Sequence, residues 1–249
     1  MIWSAAAPRK RAAPHPMSHE DPPSTTRRRT PETTGYAKGD LVRQRILGVA
    51  MDVFGEAGFK AATTRRIADA AGVQLPAIQY YFQNKEGLYL ACAQEIVQGY
   101  RHHMGPSATH ALATLEGTPD RSATRAALRD LMEALMNLLV GTNDTRHWAA
   151  FIARETNDKG PAYEILYENV WAPGADLTAR LIARLRGEKK TSPLSRVQAL
   201  LLISSAMVLQ TSDGVSRRIL NWSTIGDEER QTLMAALTAQ IAAIEHTET

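Results

Sequence analysis

From about residue 40 onward, apolar residues recur at three- and four-residue spacing, the period of amphipathic helices. Ile46, Ala50, Val53 and Phe54 share one stripe, which predicts a helix capped by Asp40, running to about Ala57 and bracketed at its end by Gly55 and Gly58. Residues 63–85 read TTRRIADAAGVQLPAIQYYFQNK and predict two short helices across a tight turn. Thr63 or Thr64 can cap the first, Ile67, Ala68 and Ala71 form its inner face, and Gly72 permits the left-handed backbone that ends it. Pro76 suits the first turn of the second, where no N–H is needed. Ile78 and Phe82 are four apart and face inward together. A longer helix from Lys85 to about Met104, closed by Gly105-Pro106, would connect this three-helix head to the remainder.

The downstream pattern is also helical. Arg125–Val140 places Leu128, Leu131, Leu135, Met136 and Leu139 at helical spacing, and Arg146–Thr156, Ala162–Trp171 and Ala175–Arg186 follow, with Gly160-Pro161 and Pro173-Gly174 as breaks. Leu194–Leu209 and Asp227–Glu245 are the two best amphipathic helices, the latter with Leu233, Leu237, Ile241 and Ile244 in one stripe. Glu188–Ser192 reads as a polar surface loop. The expected architecture is all-α: a helix-turn-helix head over residues 39–90 and a larger helical domain over 91–249. Residues 1–38, rich in Pro, Thr, Ala and Arg, hold too few large apolar side chains to offset ordering and are expected to be a disordered basic tail.

Composition narrows the function class. Four Phe and four Trp in 249 residues leave a core of Ala and Leu, which favours helix over strand. The single cysteine, Cys92, excludes an internal disulfide and fits a reducing cytosol; the simpler reading is a small buried side chain, the other a redox-sensing thiol. The longest apolar run, Val197–Leu209, is short and carries Gln198, Ser204 and Ser205, so no membrane span is expected, and MIWSAAAPRKR lacks the apolar region of a secretory signal. Residues 1–39 hold seven Lys/Arg against three Asp/Glu, which exceeds the chain's net charge of +3, so the rest is slightly acidic. Bulk charge therefore does not argue for nucleic-acid binding. The clusters Arg9–Arg11 and Arg27–Arg29 are either an arm that touches phosphate or, with Met17 as the start, a spectator extension.

His102, His103, His110 and His147 lack metal-site spacing, and the adjacent His102 and His103 should leave a helix on different sides. There is no Gly-x-Ser-x-Gly and no phosphate-cradling loop, and Glu155, Asp158, Glu164 and Glu168 read as a solvated face. No catalytic residue, metal ligand or cofactor is assigned. A helical protein-interaction or small-molecule-binding module without operator-specific DNA binding remains the alternative to a DNA reader.

The helix after Gly72 has an apolar back and a front of Gln79, Tyr80, Tyr81 and Lys85. Gln can bond an adenine edge, and Tyr and Lys can bond phosphate, so this face suits a major groove. The run Phe54-Gly55-Glu56-Ala57-Gly58-Phe59, then Thr64-Arg65-Arg66-Ile67-Ala68, Ala71-Gly72-Val73 and Tyr80-Tyr81-Phe82-Gln83-Asn84-Lys85-Glu86-Gly87-Leu88, resembles the TetR family of transcriptional regulators over about residues 40–90. The wording of 72–82 and 85–89 is similar to its CecR-like branch, with looser matches at 151–155 and 217–222.

The resemblance implies a cytoplasmic homodimer, most often a ligand-responsive repressor, whose two heads read successive major grooves of a palindrome-like DNA operator until a small-molecule inducer releases them. It implies that Thr63 caps the second helix, because Ala62 stands where relatives often carry Thr, and that Thr64 and Arg65 bind phosphate. Leu75, Pro76 and Ala77 would meet thymine methyls, Gln79 a base where relatives carry Tyr, and Tyr81 and Lys85 phosphate. Tyr80 would touch DNA or act as a partly buried brace. The stripes Leu194, Val197, Leu201, Ser204, Val208 and Leu233, Leu237, Ile241, Ile244 would pair across a two-fold axis as a four-helix bundle, or else complete the monomer core. A ligand pocket is expected among Met132, Met136, Trp148, Phe151, Ile152, Tyr163, Tyr167 and Trp171, with Arg154, Glu155 and Gln210 as polar partners; otherwise these are core, with Arg154 and Glu155 paired at the surface.

Overall fold

The computed structural model describes the backbone of residues 33–140, 143–211 and 213–245, and the side chains of 39–140, 147–208 and 214–244. Within them the chain is helical, with no strand. Of the tail expected to be disordered over residues 1–38, Thr33–Lys38 instead form the start of the first helix, and the expectations for residues 1–32, Arg clusters included, lie outside the described residues. The elements are α1 Thr33–Ala61, α2 Thr64–Ala71, α3 Leu75–Phe82, α4 Lys85–Glu116, α5 Arg121–Val140, α6 Asn143–Asp158, α7 Tyr163–Leu166, a π-helical turn Tyr167–Trp171, α8 Ala172–Leu185, α9 Pro193–Thr211, α10 Asp213–Leu220 and α11 Asp227–Glu245.

Several boundaries differ from the sequence expectation, each because tertiary packing outweighs a local signal. Asp40 is not a cap: α1 begins at Thr33, and Asp40 lies exposed within it, since the apolar stripe marks only where the helix meets the core. Gly58 does break α1, at φ 76°, a left-handed conformation that suits glycine. Gly105-Pro106 does not close α4, which runs on to Glu116, because Met104 and Ala111 are buried on either side of the proline and hold both halves to the body. Pro173-Gly174 likewise sits in the first turn of α8 without ending the helix. The short α10 was not expected from periodicity. Its Val215 and Ile219 are 64% and 75% exposed, so no core of this chain imprints a pattern on it.

Two apolar cores result. The first joins α1, α2, α3 and the start of α4 with Phe151 of α6, Leu166 of α7 and Val170 of the π turn. The second joins the later part of α4 with α5, α8, α9 and α11. A division at residue 90 would cut through α4, whose Cys92, Ala93, Ile96 and Val97 belong to the first core. Tyr100 and Trp148 pack against both cores. Burial pushes the Cys92 thiol well above its ordinary value, as expected for a packing residue rather than a reactive thiol.

The two C-terminal stripes part company. Leu237, Ile241 and Ile244 are buried in the chain's own second core and Leu233 packs against it, so the α11 stripe completes the monomer. On α9 the opposite holds: Leu194, Val197, Leu201, Ser204 and Val208 are exposed, and Ala199, Leu202 and Ala206 face inward. Helix α9 is apolar on both sides, so spacing alone does not select the buried one.

Candidate nucleic-acid interface and internal cavity

The head's local structure follows from its capping residues. Thr63 Oγ1 accepts the Arg66 N–H at 3.2 Å, opening α2. Gly72 at φ 63° ends it, with Val73 N–H donating to Ala68 O at 3.0 Å and Gly72 N–H to Asp69 O at 3.2 Å, the paired bonds of a Schellman motif. Ile78 and Phe82 anchor α3 to the core, and the Arg43 guanidinium lies 5.6 Å over the Phe82 ring. The opposite face presents Pro76, Gln79 and Tyr80 to solvent, with Leu75, Ala77 and Tyr81 half-buried. Thr63 and Arg65 are exposed at the start of α2 and Thr64 is half-buried. Tyr80 is 82% exposed and so is no brace; Tyr81 is half-buried and packs against the core along one side.

Lys85 has a role that the sequence does not signal. Its ammonium donates to Ala62 O at 3.1 Å and Lys60 O at 3.4 Å and lies 4.6 Å over the Phe59 ring. It thereby caps the C-terminal end of α1 from the first turn of α4. Asn84 opens α4, its side chain accepting the Gly87 N–H at 2.8 Å.

Helix α6 is the joint between head and body. One side docks on α1: His147 Nδ1 meets Asp52 Oδ1 at 2.7 Å, and Arg154 donates to Glu56 O at 2.8 Å and Gly55 O at 3.4 Å. Phe151, fully buried between them, packs on Tyr89 at 4.7 Å. One turn further, Glu155 accepts a hydrogen bond from the Tyr89 hydroxyl. A Cβ at Gly55 would overlap Ala150, so glycine there allows the close approach of α1 and α6.

Trp148 and Ile152, on another side of α6, line an internal cavity of about 100 Å³. Its walls come from Ile96, Tyr100 and Met104 of α4, the Leu131–Leu139 stretch of α5, Val170 and Trp171 of the π turn, Gly174, Ala175 and Thr178 of α8, and Ile203 and Met207 of α9. Among the described residues no charged side chain lines it. A Cβ at Gly99 would overlap the Trp148 indole, so that ring lies directly against α4. Among the described residues no group of three His, Cys, Asp or Glu converges on a metal-sized site. His102 and His103 do not diverge as expected; their rings meet edge to face at 5.2 Å.

Comparison with known proteins agrees with this geometry. Residues 46–92 match the family model of the bacterial regulatory proteins of the tetR family. Residues 124–246 match the C-terminal domain of the HTH-type transcriptional dual regulator CecR. The CecR protein of Shigella flexneri is 30% identical over 205 residues, which span 82% of this chain and 91% of its own. The chain belongs to the TetR family of transcriptional regulators, with a CecR-type C-terminal domain. Solved structures share the fold: a TetR-like transcriptional regulator from Rhodococcus sp. RHA1 superposes with a TM-score of 0.54 at 18% identity, covering 88% of this chain and 100% of its own. AibR, in complex with isovaleryl coenzyme A and operator DNA, gives 0.53 at 15% identity, covering 79% and 96%. The chain is thus a DNA-binding regulator and not an enzyme.

Within this TetR-family regulator the ligand-pocket residues expected from sequence divide. Met132, Trp148, Ile152 and Trp171 line the cavity. Met136 is buried in the second core and Phe151 in the first. Tyr163 and Tyr167 stack on each other at 6.2 Å and are not among the lining residues. Arg154 and Glu155 are neither paired with each other nor part of the cavity, since each is used at the α1–α6 and α4–α6 contacts. The side chain of Gln210 lies outside the described residues. Ile96, Tyr100 and Met104 went unrecognised, although their i, i+4, i+8 spacing marks one face of the connector helix.

Glu155 carries a pH signature. The residue is buried, its Oε2 has no hydrogen-bond partner, and a Cβ at Gly160 would overlap its carboxylate. Burial pushes its carboxyl above the ordinary value near 4.5, against the hydrogen bond from Tyr89 that favours the anion. Burial and the neighbouring carboxylate push the Tyr89 phenol up, so it remains the donor. A raised carboxyl means that the folded chain holds this proton more tightly than the unfolded chain. Its stabilisation is therefore complete below about 4.5 and lost as pH rises through the folded value. Glu155→Gln, which still accepts from Tyr89, should flatten the decline in melting temperature as pH rises above about 4.5. Thermal denaturation across that range checks this; a parallel pH profile in both proteins would contradict it.

Proposed function

We propose that this regulator acts in the cytoplasm as a homodimeric, ligand-responsive repressor that binds a palindrome-like operator and lets go when a small molecule enters the internal cavity. The observation that carries the reading is the position of the cavity: Tyr100 and Trp148 line it, and the same two side chains pack against both cores. Helix α6 presents Trp148 and Ile152 to the cavity and holds α1 through His147, Phe151 and Arg154. A ligand that moves α6 must then alter how the head is held. By linkage, operator and ligand weaken each other by the same factor.

On the DNA side, Thr64 and Arg65 meet phosphate at the start of α2, where helix N–H groups add to the attraction. Leu75, Pro76 and Ala77 meet base edges, Gln79 bonds a base, and Tyr80 and Tyr81 reach the backbone. Lys85 has one N–H left beyond its two carbonyl partners for a phosphate. The dimer forms through the exposed α9 residues Leu194, Val197, Leu201, Ser204 and Val208, joined by Leu200 and by the small outward face of α11 at Ala235, Ala239 and Ala242. Small residues there allow close approach of a neighbouring helix.

Two variants separate the two activities. Gln79→Ala should weaken operator binding by about 1–3 kcal/mol, relax preference at one base pair, and leave the ligand-induced change in indole fluorescence intact. Trp148→Ala should hold the operator but no longer release it on addition of an inducer found by screening. Normal release by both Trp148→Ala and Ile152→Ala would move the ligand site elsewhere. Parental operator binding by Gln79→Ala would displace the reading helix.

A further inference from the structure

We infer that the cavity is built for an uncharged aromatic molecule of about one ring that carries a hydroxyl, held by a hydrogen bond to Tyr100. The inference rests on the ligand-site reading above and adds the chemistry of what that site accepts. Size comes first: about 100 Å³ is somewhat less than the roughly 150 Å³ apolar cavity that takes up benzene, so a single ring fills it. Met104, Met132 and Met207 on the walls can shift to accommodate a substituent. Trp148, Trp171 and Tyr100 supply flat contact area.

Charge comes second. With no ionisable partner among the described residues of the wall other than the Tyr100 phenol, a carboxylate or ammonium would enter unpaired, at a cost far above the gain from burying its ring. The polar handle comes third. The Thr178 hydroxyl already donates to Gly174 O at 2.8 Å. The Tyr100 hydroxyl has no hydrogen-bond partner among the described residues. Burial raises its ionisation above the ordinary phenol value, so it stays protonated and can both donate and accept. A Cβ at position 174 would lie 2.9 Å from that hydroxyl oxygen, so Gly174 keeps the space in front of it open.

The test uses the full-length protein with three probes of matched ring size: phenol, toluene and benzoate. Binding is read at neutral pH by indole fluorescence and by the shift in melting temperature, which rises only if the probe binds the folded chain. Phenol should bind at least tenfold more tightly than benzoate. Tyr100→Phe should weaken phenol about five- to tenfold and leave toluene unchanged, as loss of one hydrogen bond predicts. Gly174→Ala, which crowds the hydroxyl without removing it, should weaken phenol at least as much. Benzoate binding equal to phenol, or phenol binding unchanged in both variants, would overturn this assignment while leaving the cavity as a ligand site. If no probe of any charge moved either readout, the cavity reading itself would fall, and this inference with it.

Discussion

The double variant Leu200→Glu/Leu201→Glu should sediment as a monomer at micromolar concentration and lose operator affinity by about 10²- to 10⁴-fold, because two linked heads bind far more tightly than one. Val197, Leu200, Leu201 and Val208 are 51%, 56%, 64% and 46% exposed, and Leu194 is 39% exposed at the same side of α9. A contiguous apolar face of this kind marks an interaction surface. A carboxylate at its centre would be buried without a partner in the proposed dimer, yet would stay solvated in the monomer. Leu237→Glu is the contrasting case: Leu237 is 3% exposed within the second core, so that change should give insoluble chain rather than a folded monomer. Sedimentation velocity and operator titration on the same samples decide the matter. A dimeric double variant would transfer the interface to another surface, with Val215 and Ile219 of α10 the next exposed apolar pair.

Phe151→Ala should cost about 3–5 kcal/mol of stability, the range for truncating a fully buried aromatic side chain. Phe151 has no exposed surface, meets Tyr89 at 4.7 Å, and sits on the side of α6 that holds α1. Its loss opens a void at the joint where Glu155 and Tyr89 are also bonded, so the head should loosen from the body as well. Tyr167→Ala, at a position 47% exposed, should stay within about 0.5 kcal/mol of the parent. Chemical denaturation of the three proteins measures both values. A small effect of Phe151→Ala would mean that head and body are held chiefly by the polar contacts His147–Asp52 and Arg154–Glu56.

The helix-turn-helix could be read from the sequence because its determinants act within a turn or two of where they stand. The Thr63 cap, the left-handed Gly72, Pro76 in the first turn of α3, and the inward pair Ile78 and Phe82 each impose a backbone or a face without help from distant residues. The same locality explains the break of α1 at Gly58 and the bounds of α11. What tertiary structure alone decided is which of several locally equivalent options is used. Helix α9 is apolar on both sides, and only the approach of α5, α8 and α11 selects the one that is buried. Pro106 would end an isolated helix, but Met104 and Ala111 on either side of it are held by the body. Glu155 looked like a solvated carboxylate until the fold brought it against Tyr89, 66 residues away. Lys85 looked free until α1 ended within reach of its ammonium. The cavity belongs to the same class: six elements spread between Ile96 and Met207 converge on it, and a space between helices leaves no mark on any one of them.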